Sequence, residues 1–281
     1  HALAINLLGS YIHGIEDHHI SNAKEIPDLD IPKEKGRHPR RVIAAFEERF
    51  GESPQIQALR IMGLFDRPAH VNAVKAVRKG PKISGLTDKL KVMTEGKWIT
   101  LLDELRECKL LAQKSKHNPN IIDCHPLIRE HFGQKLQIDK TEAWKEANGR
   151  LYEYYKGVPE KELPNTLTEM EPLFAAVTHG CLAGRHQEIL HDVYYKRICR
   201  GNEAYTEKKL GAFGADLAAV SCFFEKAWSK PASDLSDQAK AILLNYAGYR
   251  LRALGRLTEA VEPIEASITL VIEQNDLGNA A

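Results

Sequence analysis

The chain has 281 residues, a formal net charge of +1 and 27% charged side chains, enough length for two or three domains with cores of their own. The near-neutral balance excludes a general electrostatic affinity for nucleic acid or anionic membranes, and no run of about 18 apolar residues offers a membrane span. Five cysteines (Cys108, Cys124, Cys181, Cys199, Cys222) are scattered with no CxxC spacing, which reads as reduced thiols of a cytoplasmic protein.

In chain order, Ala2, Leu3, Ile5, Leu7, Leu8, Tyr11 and Ile12 predict the wide apolar stripe of a buried helix. Residues 26–39 carry three prolines, a glycine and many charges, so they read as a linker. Its basic cluster (Lys33, Lys35, Arg37, Arg40, Arg41) reads as a solvated face. Helices follow over residues 39–50 and 54–65, the first with Val42, Ala45, Phe46 and Phe50 on one face. Asp66-Arg67-Pro68-Ala69 breaks the chain, because proline cannot continue the preceding helix. Ile83, Leu86, Leu90 and Met93 predict another helical stripe, and Trp98, Leu101, Leu102 and Leu105 one more. The period then changes. Residues 110–113 and 121–124 are short strand candidates around a polar turn containing Asn118-Pro119, which predicts a β-hairpin.

His125 follows that hairpin, and Pro126 suits the first turn of a helix, so the imidazole is expected at a helix N-terminus, where free amides and the dipole favour anions. Two readings stand side by side: a histidine that caps the helix or packs at the hairpin base, and one that donates to a phosphate. His18 and His19 are adjacent, and His186 and His191 are five apart, which are poor metal-ligand spacings. There is no Gly-x-x-x-x-Gly-Lys-Ser/Thr phosphate loop and no Gly-x-Ser-x-Gly elbow, so this chain is not expected to hydrolyse ATP.

From about Thr141 the pattern reads as wholly helical. Trp144, Ala147, Leu151, Tyr154 and Tyr155 line one helix, residues 167–183 form a second, and Ile189, Leu190, Val193, Tyr194 and Ile198 mark a third. Residues 201–205 and 208–214 interrupt the helices with glycines, as turns or as a ligand loop. Gly248 and Ala260 are twelve apart, the separation of the small residues that let two tetratricopeptide (TPR) helices approach. The turns at Gly184 and Gly255 lie about two periods of ~34 residues apart, with residues 212–228 supplying part of a repeat between them.

Several segments together resemble the STAND signalling ATPases of the NB-ARC class. The opening string from His1 to Tyr11 is similar to the helix after the family's Gly-x-Pro signature, with His1 at the place of the adenine-side proline. Leu59 through Ala69 looks like the opening of the family's winged-helix domain, and Leu101 through Leu127 like its close. Asp123-Cys124-His125-Pro126 resembles the Met-His-Asp motif, whose histidine reaches the β-phosphate of ADP, although Cys124 and Pro126 replace the flanking residues here.

The resemblance implies a mainly α chain in three parts. Residues 1–36 would be the last helices of a nucleotide-binding module plus linker, 37–138 a winged-helix domain with one short β-hairpin, and 139–281 a TPR-like α-solenoid. It further implies a regulatory and sensor role. His125 contacts ADP held mainly by a nucleotide-binding domain expected upstream, the repeats bind a protein trigger, and the active form is a homo-oligomer. Nucleic acid and membranes are not expected partners. The competing readings are a winged-helix DNA-binding regulator using Lys75, Arg78, Lys79, Lys82, Lys89 and Lys91 on phosphates, against which Asp103, Glu104 and Glu107 would repel, and a plain TPR adaptor.

Overall fold

The computed structural model describes residues 2–13 and 37–273, and these are mainly helical. The chain divides into two compact units, residues 1–147 and 148–281, with the boundary inside one helix.

The first unit contains α1 (Ala2–His13), α2 (Arg37–Phe50), α3 (Pro54–Met62), β1 (Ala69–His70), α4 (Val71–Lys79), α5 (Glu95–Glu107), β2 (Ile121–Ile122) and α6 (Pro126–Asp139), and ends within α7 (Thr141–Lys156). Helix starts follow local chemistry. The hydroxyls of Ser53 and Thr94 accept from the free N–H groups of Ile56 and Lys97, so α3 and α5 begin where an oxygen can satisfy an amide that has no helical partner. Pro54 and Pro126 occupy the first turns of α3 and α6, where no N–H is missed. The core gathers Phe46 of α2, Leu59 and Ile61 of α3, Leu105 of α5 and Phe132 of α6. α1 packs on α2 through the edge-to-face pair Tyr11–Phe46, with centroids 5.1 Å apart, and the Ser10 hydroxyl donates to the Cys108 carbonyl at 2.7 Å.

Three expectations need correction here. The stripe of α1 is narrower than its apolar residues imply, since Leu7 is buried but Ile5 is 68% exposed. Residues 84–92 form successive turns rather than a helix. Gly85 sits at φ +78° with its N–H donated to Asp88, and Thr87 is buried bonding back to Ile83, so side chains compete with the helical ladder. The helix lies earlier, as α4. Finally, β2 does not pair in a hairpin with residues 110–113. Its antiparallel partner is β1, Ala69 opposite Ile122 and His70 opposite Ile121. Residues 110–113 contribute one bond, Ala112 N–H to the Asp123 carbonyl at 2.8 Å. Ala69 and His70 instead pair across more than fifty residues of chain, a contact that local pattern does not encode.

The second unit runs from the rest of α7 through α8 (Leu167–Leu182), the short α9 (His186–Ile189), a π-helix (Leu190–Cys199), a 3-10 turn (Gly201–Glu203), α10 (Tyr205–Lys208), α11 (Phe213–Ser221), β3 (Phe224–Lys226), β4 (Lys230–Pro231), α12 (Asp237–Ala253) and α13 (Leu257–Glu273). Its core joins Tyr152, Leu173, Val177, Val193, Phe223 and Leu243. The stretch after Thr141 is therefore not wholly helical. α11 stops at Ser221, and an irregular antiparallel hairpin, Phe224 opposite Pro231, takes the place of the expected helix through Trp228. Trp228 itself turns the hairpin at φ +65° and packs on Phe224, centroids 5.7 Å apart.

α12 and α13 form an antiparallel pair. Gly248 lies where a Cβ would overlap the Ile264 side chain, and the Ser267 hydroxyl donates to the Ala241 carbonyl at 2.9 Å. The small residues Gly248 and Ala260 thus sit at the helix contact, as their spacing predicts. Among the described residues no helix is long and apolar enough to cross a membrane.

Candidate functional site

His125 is the N-cap of α6. Its backbone is extended (φ −61°, ψ 141°), and its Nδ1 accepts the Leu127 N–H at 3.2 Å. Its carbonyl opens the helix by accepting from Ile128 at 2.9 Å. An Nδ1 that accepts a hydrogen bond leaves the ring's donor hydrogen to Nε2. The side chain is exposed. One ring nitrogen is therefore spent on the helix, and the other remains a donor. The capping and donating readings are compatible in a single side chain.

The neighbours of His125 are more firmly held. Cys124 is buried, and burial pushes its thiol up to about 12, which leaves it an inert packing group at neutral pH. Arg129, one turn into α6, is also buried; it donates to the Asp66 carbonyl at 3.1 Å and forms an ion pair with Asp123. Through these two contacts Arg129 ties the segment before α6 to the turn after α3. Asp123 therefore supports the helix start through Arg129. Sequence reading missed Arg129, although a cation at i+4 on the face of a capping residue, with an acid two positions before that cap, was a visible signal.

A second histidine repeats the cap. His70, the last residue of β1, is the N-cap of α4, and its Nδ1 accepts the Asn72 N–H at 3.2 Å. Two imidazoles, His70 half-buried and His125 exposed, thus begin helices after the two paired strands. The register puts His70 opposite Ile121, four residues before His125, so about 13 Å of extended chain separates the positions.

His1 lies outside the described residues, as do His18 and His19. His186 pairs with Asp234 at 2.8 Å and His191 with Asp192 at 3.0 Å, and among the described residues no three His, Cys, Asp or Glu side chains gather to hold a metal. The basic residues of the DNA-binding reading are mostly engaged. Arg78 is buried against Glu95, Lys79 meets Glu95 at 3.2 Å, Lys82 meets Asp88 at 3.5 Å and Lys89 donates to the Glu52 carbonyl.

The 201–205 loop is tied down within its own unit. Arg200 (φ +58°) and Ala204 (φ +45°) flank the 3-10 turn in the left-handed region, and the Arg200 guanidinium lies 3.5 Å from the Tyr205 ring centroid. Beside it lies a charged network that the sequence did not announce. Arg250 of α12, 1% exposed, pairs with Asp216 of α11 and Glu207 of α10, and its Nη2 donates to the Tyr194 hydroxyl of the π-helix at 2.9 Å. Thr206 donates to Asp216 at 3.1 Å. Burial pushes the Glu207 carboxyl upward despite Arg250, and burial raises the Tyr194 hydroxyl well above the ordinary phenol range. Every polar partner here faces another, so the network serves packing.

Compared with models of protein families, with curated proteins and with solved structures, the chain gives no match.

Proposed function

We propose that this chain is the regulatory and sensor part of a STAND-type switch, in which His125 donates through Nε2 to the β-phosphate of ADP held mainly by a nucleotide-binding module. The observation that carries the reading is the cap itself. By locking Nδ1 onto Leu127, α6 fixes the tautomer and leaves an exposed N–H at a helix N-terminus, where the dipole favours an anion.

Residues 37–138 act in this proposal as a winged-helix domain. The order α3, β1, α4, α5, β2, with β1 paired to β2, supports that assignment. Residues 139–281 act as a TPR-like scaffold that receives a protein trigger, supported by the close Gly248–Ile264 crossing of α12 and α13. The apolar residues Leu257, Val261, Ile268 and Ile272, exposed along α13, supply a surface that a partner can cover. Trigger binding shifts the population away from the ADP-bound closed form, and the open form oligomerises.

The test uses the chain joined to its nucleotide-binding module and compares His125→Asn with His125→Ala. Asparagine is a good N-cap but lacks the Nε2–H at the imidazole's reach. ADP should dissociate faster from both variants, and basal activity should rise. Wild-type ADP retention in His125→Asn would show that the histidine only caps.

A further inference from the structure

We propose that the cleft between α4, α5 and the 114–122 loop of the first unit binds a small organic anion, a carboxylate or phosphate monoester carried on a planar apolar body. The cleft encloses about 410 Å³, within the usual range of small-molecule sites. Its lining carries four cations, Lys75, Arg78, Arg106 and Lys114, against two carboxylates, Glu95 and Asp103. Both carboxylates are already spent. Glu95 accepts from Arg78 Nη2 at 2.6 and 2.7 Å, and Asp103 accepts from Arg106 Nη1 at 2.7 Å. The surplus charge of the cleft is positive.

The second observation is what those arginines lack. Arg78 is 2% exposed, yet its Nε and Nη1 are buried without a hydrogen-bond partner, and so is Nε of Arg106. Buried guanidinium donors without acceptors are costly and uncommon, and two such groups line one cleft from two different helices. Those atoms are closed to solvent, so an anion in the cleft is met by the exposed Lys75 and Lys114, which carry its surplus positive charge.

The apolar requirement comes from the walls. The Arg78 guanidinium lies 4.7 Å from the Trp98 ring centroid, and Leu102 and Ile122 line the cleft beside it, with Ile99 exposed among the lining residues. A flat apolar body adds to that stack, whereas a bare anion leaves the wall wet. His125 does not line this cleft, so the proposal stands or falls separately from the ADP contact.

The experiment titrates phenyl phosphate, benzoate and inorganic phosphate into the 281-residue chain and follows the Trp98 indole resonance. Both aromatic anions should shift it saturably, and inorganic phosphate should bind at least about tenfold more weakly, the worth of a modest apolar contact. Because Arg78→Gln removes a buried side chain, the deciding variant is Lys75→Glu with Lys114→Glu, two exposed positions. This variant should keep its thermal midpoint and lose about tenfold in phenyl phosphate affinity. No saturable shift with either aromatic anion would overturn the proposal. So would unchanged affinity in the double variant, or inorganic phosphate binding as tightly as phenyl phosphate.

Discussion

Gly63 and Gly133 meet backbone to backbone. A Cβ on Gly133 would stand 2.5 Å from the Gly63 carbonyl oxygen, and one on Gly63 would stand 2.7 Å from Gly133 Cα. This crossing brings α6 against the end of α3, and it thereby fixes how α6, with His125 at its start, lies against that helix.

Gly133→Ala is expected to destabilise the chain by about 1–3 kcal/mol, the usual cost of forcing atoms into a filled contact, with Gly63→Ala similar. Neither backbone can yield as a side-chain tip would. Urea unfolding with an unchanged m-value checks this, and a wild-type midpoint would mean the helices separate freely.

The α12–α13 crossing gives a contrasting case. Gly248→Ala would collide with the Ile264 side chain, which can be shortened. Gly248→Ala should cost about 1–3 kcal/mol, and adding Ile264→Ala should restore part of it, a coupling that a double-mutant cycle reads directly.

The capping imidazoles predict a different pattern. His125→Ala and His70→Ala should each lose about 1 kcal/mol, and the asparagine variants should lose little, since Asn supplies the side-chain acceptor. Equal losses for Ala and Asn at either site would show that the ring contributes by packing.

Glu47 of α2 sets an acid limit. Burial alone would raise its carboxyl, but hydrogen bonds and charge from His131 at 2.8 Å and Lys135 at 2.9 Å outweigh it and bring it from 4.5 to about 2. A depressed carboxyl stabilises the fold above its unfolded value, and that contribution disappears as pH falls through the folded value. Stability should therefore decline between about pH 5 and 2, by about 1–2 kcal/mol once solvent screening is allowed for. Glu47→Gln should flatten that part of the stability profile, and an unchanged slope would remove Glu47 as its source.

The Arg250 network should be the most sensitive point of the second unit. Arg250→Met leaves Asp216 and Glu207 buried without their cation, and a loss of about 3–5 kcal/mol follows. Thermal unfolding measures it, and a loss below about 1 kcal/mol would mean water reaches the carboxylates.

Much of this architecture was legible in local pattern. Pro54 marked the start of α3, the buried face Trp98, Leu101, Leu102 and Leu105 of α5 emerged as its spacing required, and Gly248 and Ala260 fell at a helix contact. The misses have two causes, one local and one long-range. Gly85 and Thr87 turned an apparent stripe into turns through side-chain bonds, and Ala69 drew β2 away from its sequence neighbour. The candidate site divided the same way. His125 at a helix N-terminus was readable from Pro126, and the spacing of Asp123 and Arg129 left a signal, but Arg129 reaching Asp66 left none.

The sequence by itself determined the helical class, most helix starts and the place of His125, because capping, proline geometry and apolar period act within a few residues. Only the tertiary structure decided the β1–β2 pairing, the Gly63–Gly133 contact, the Arg250 network and the arginine-lined cleft. Each joins groups far apart in the chain, and burial gives such contacts their energy only once the elements have packed.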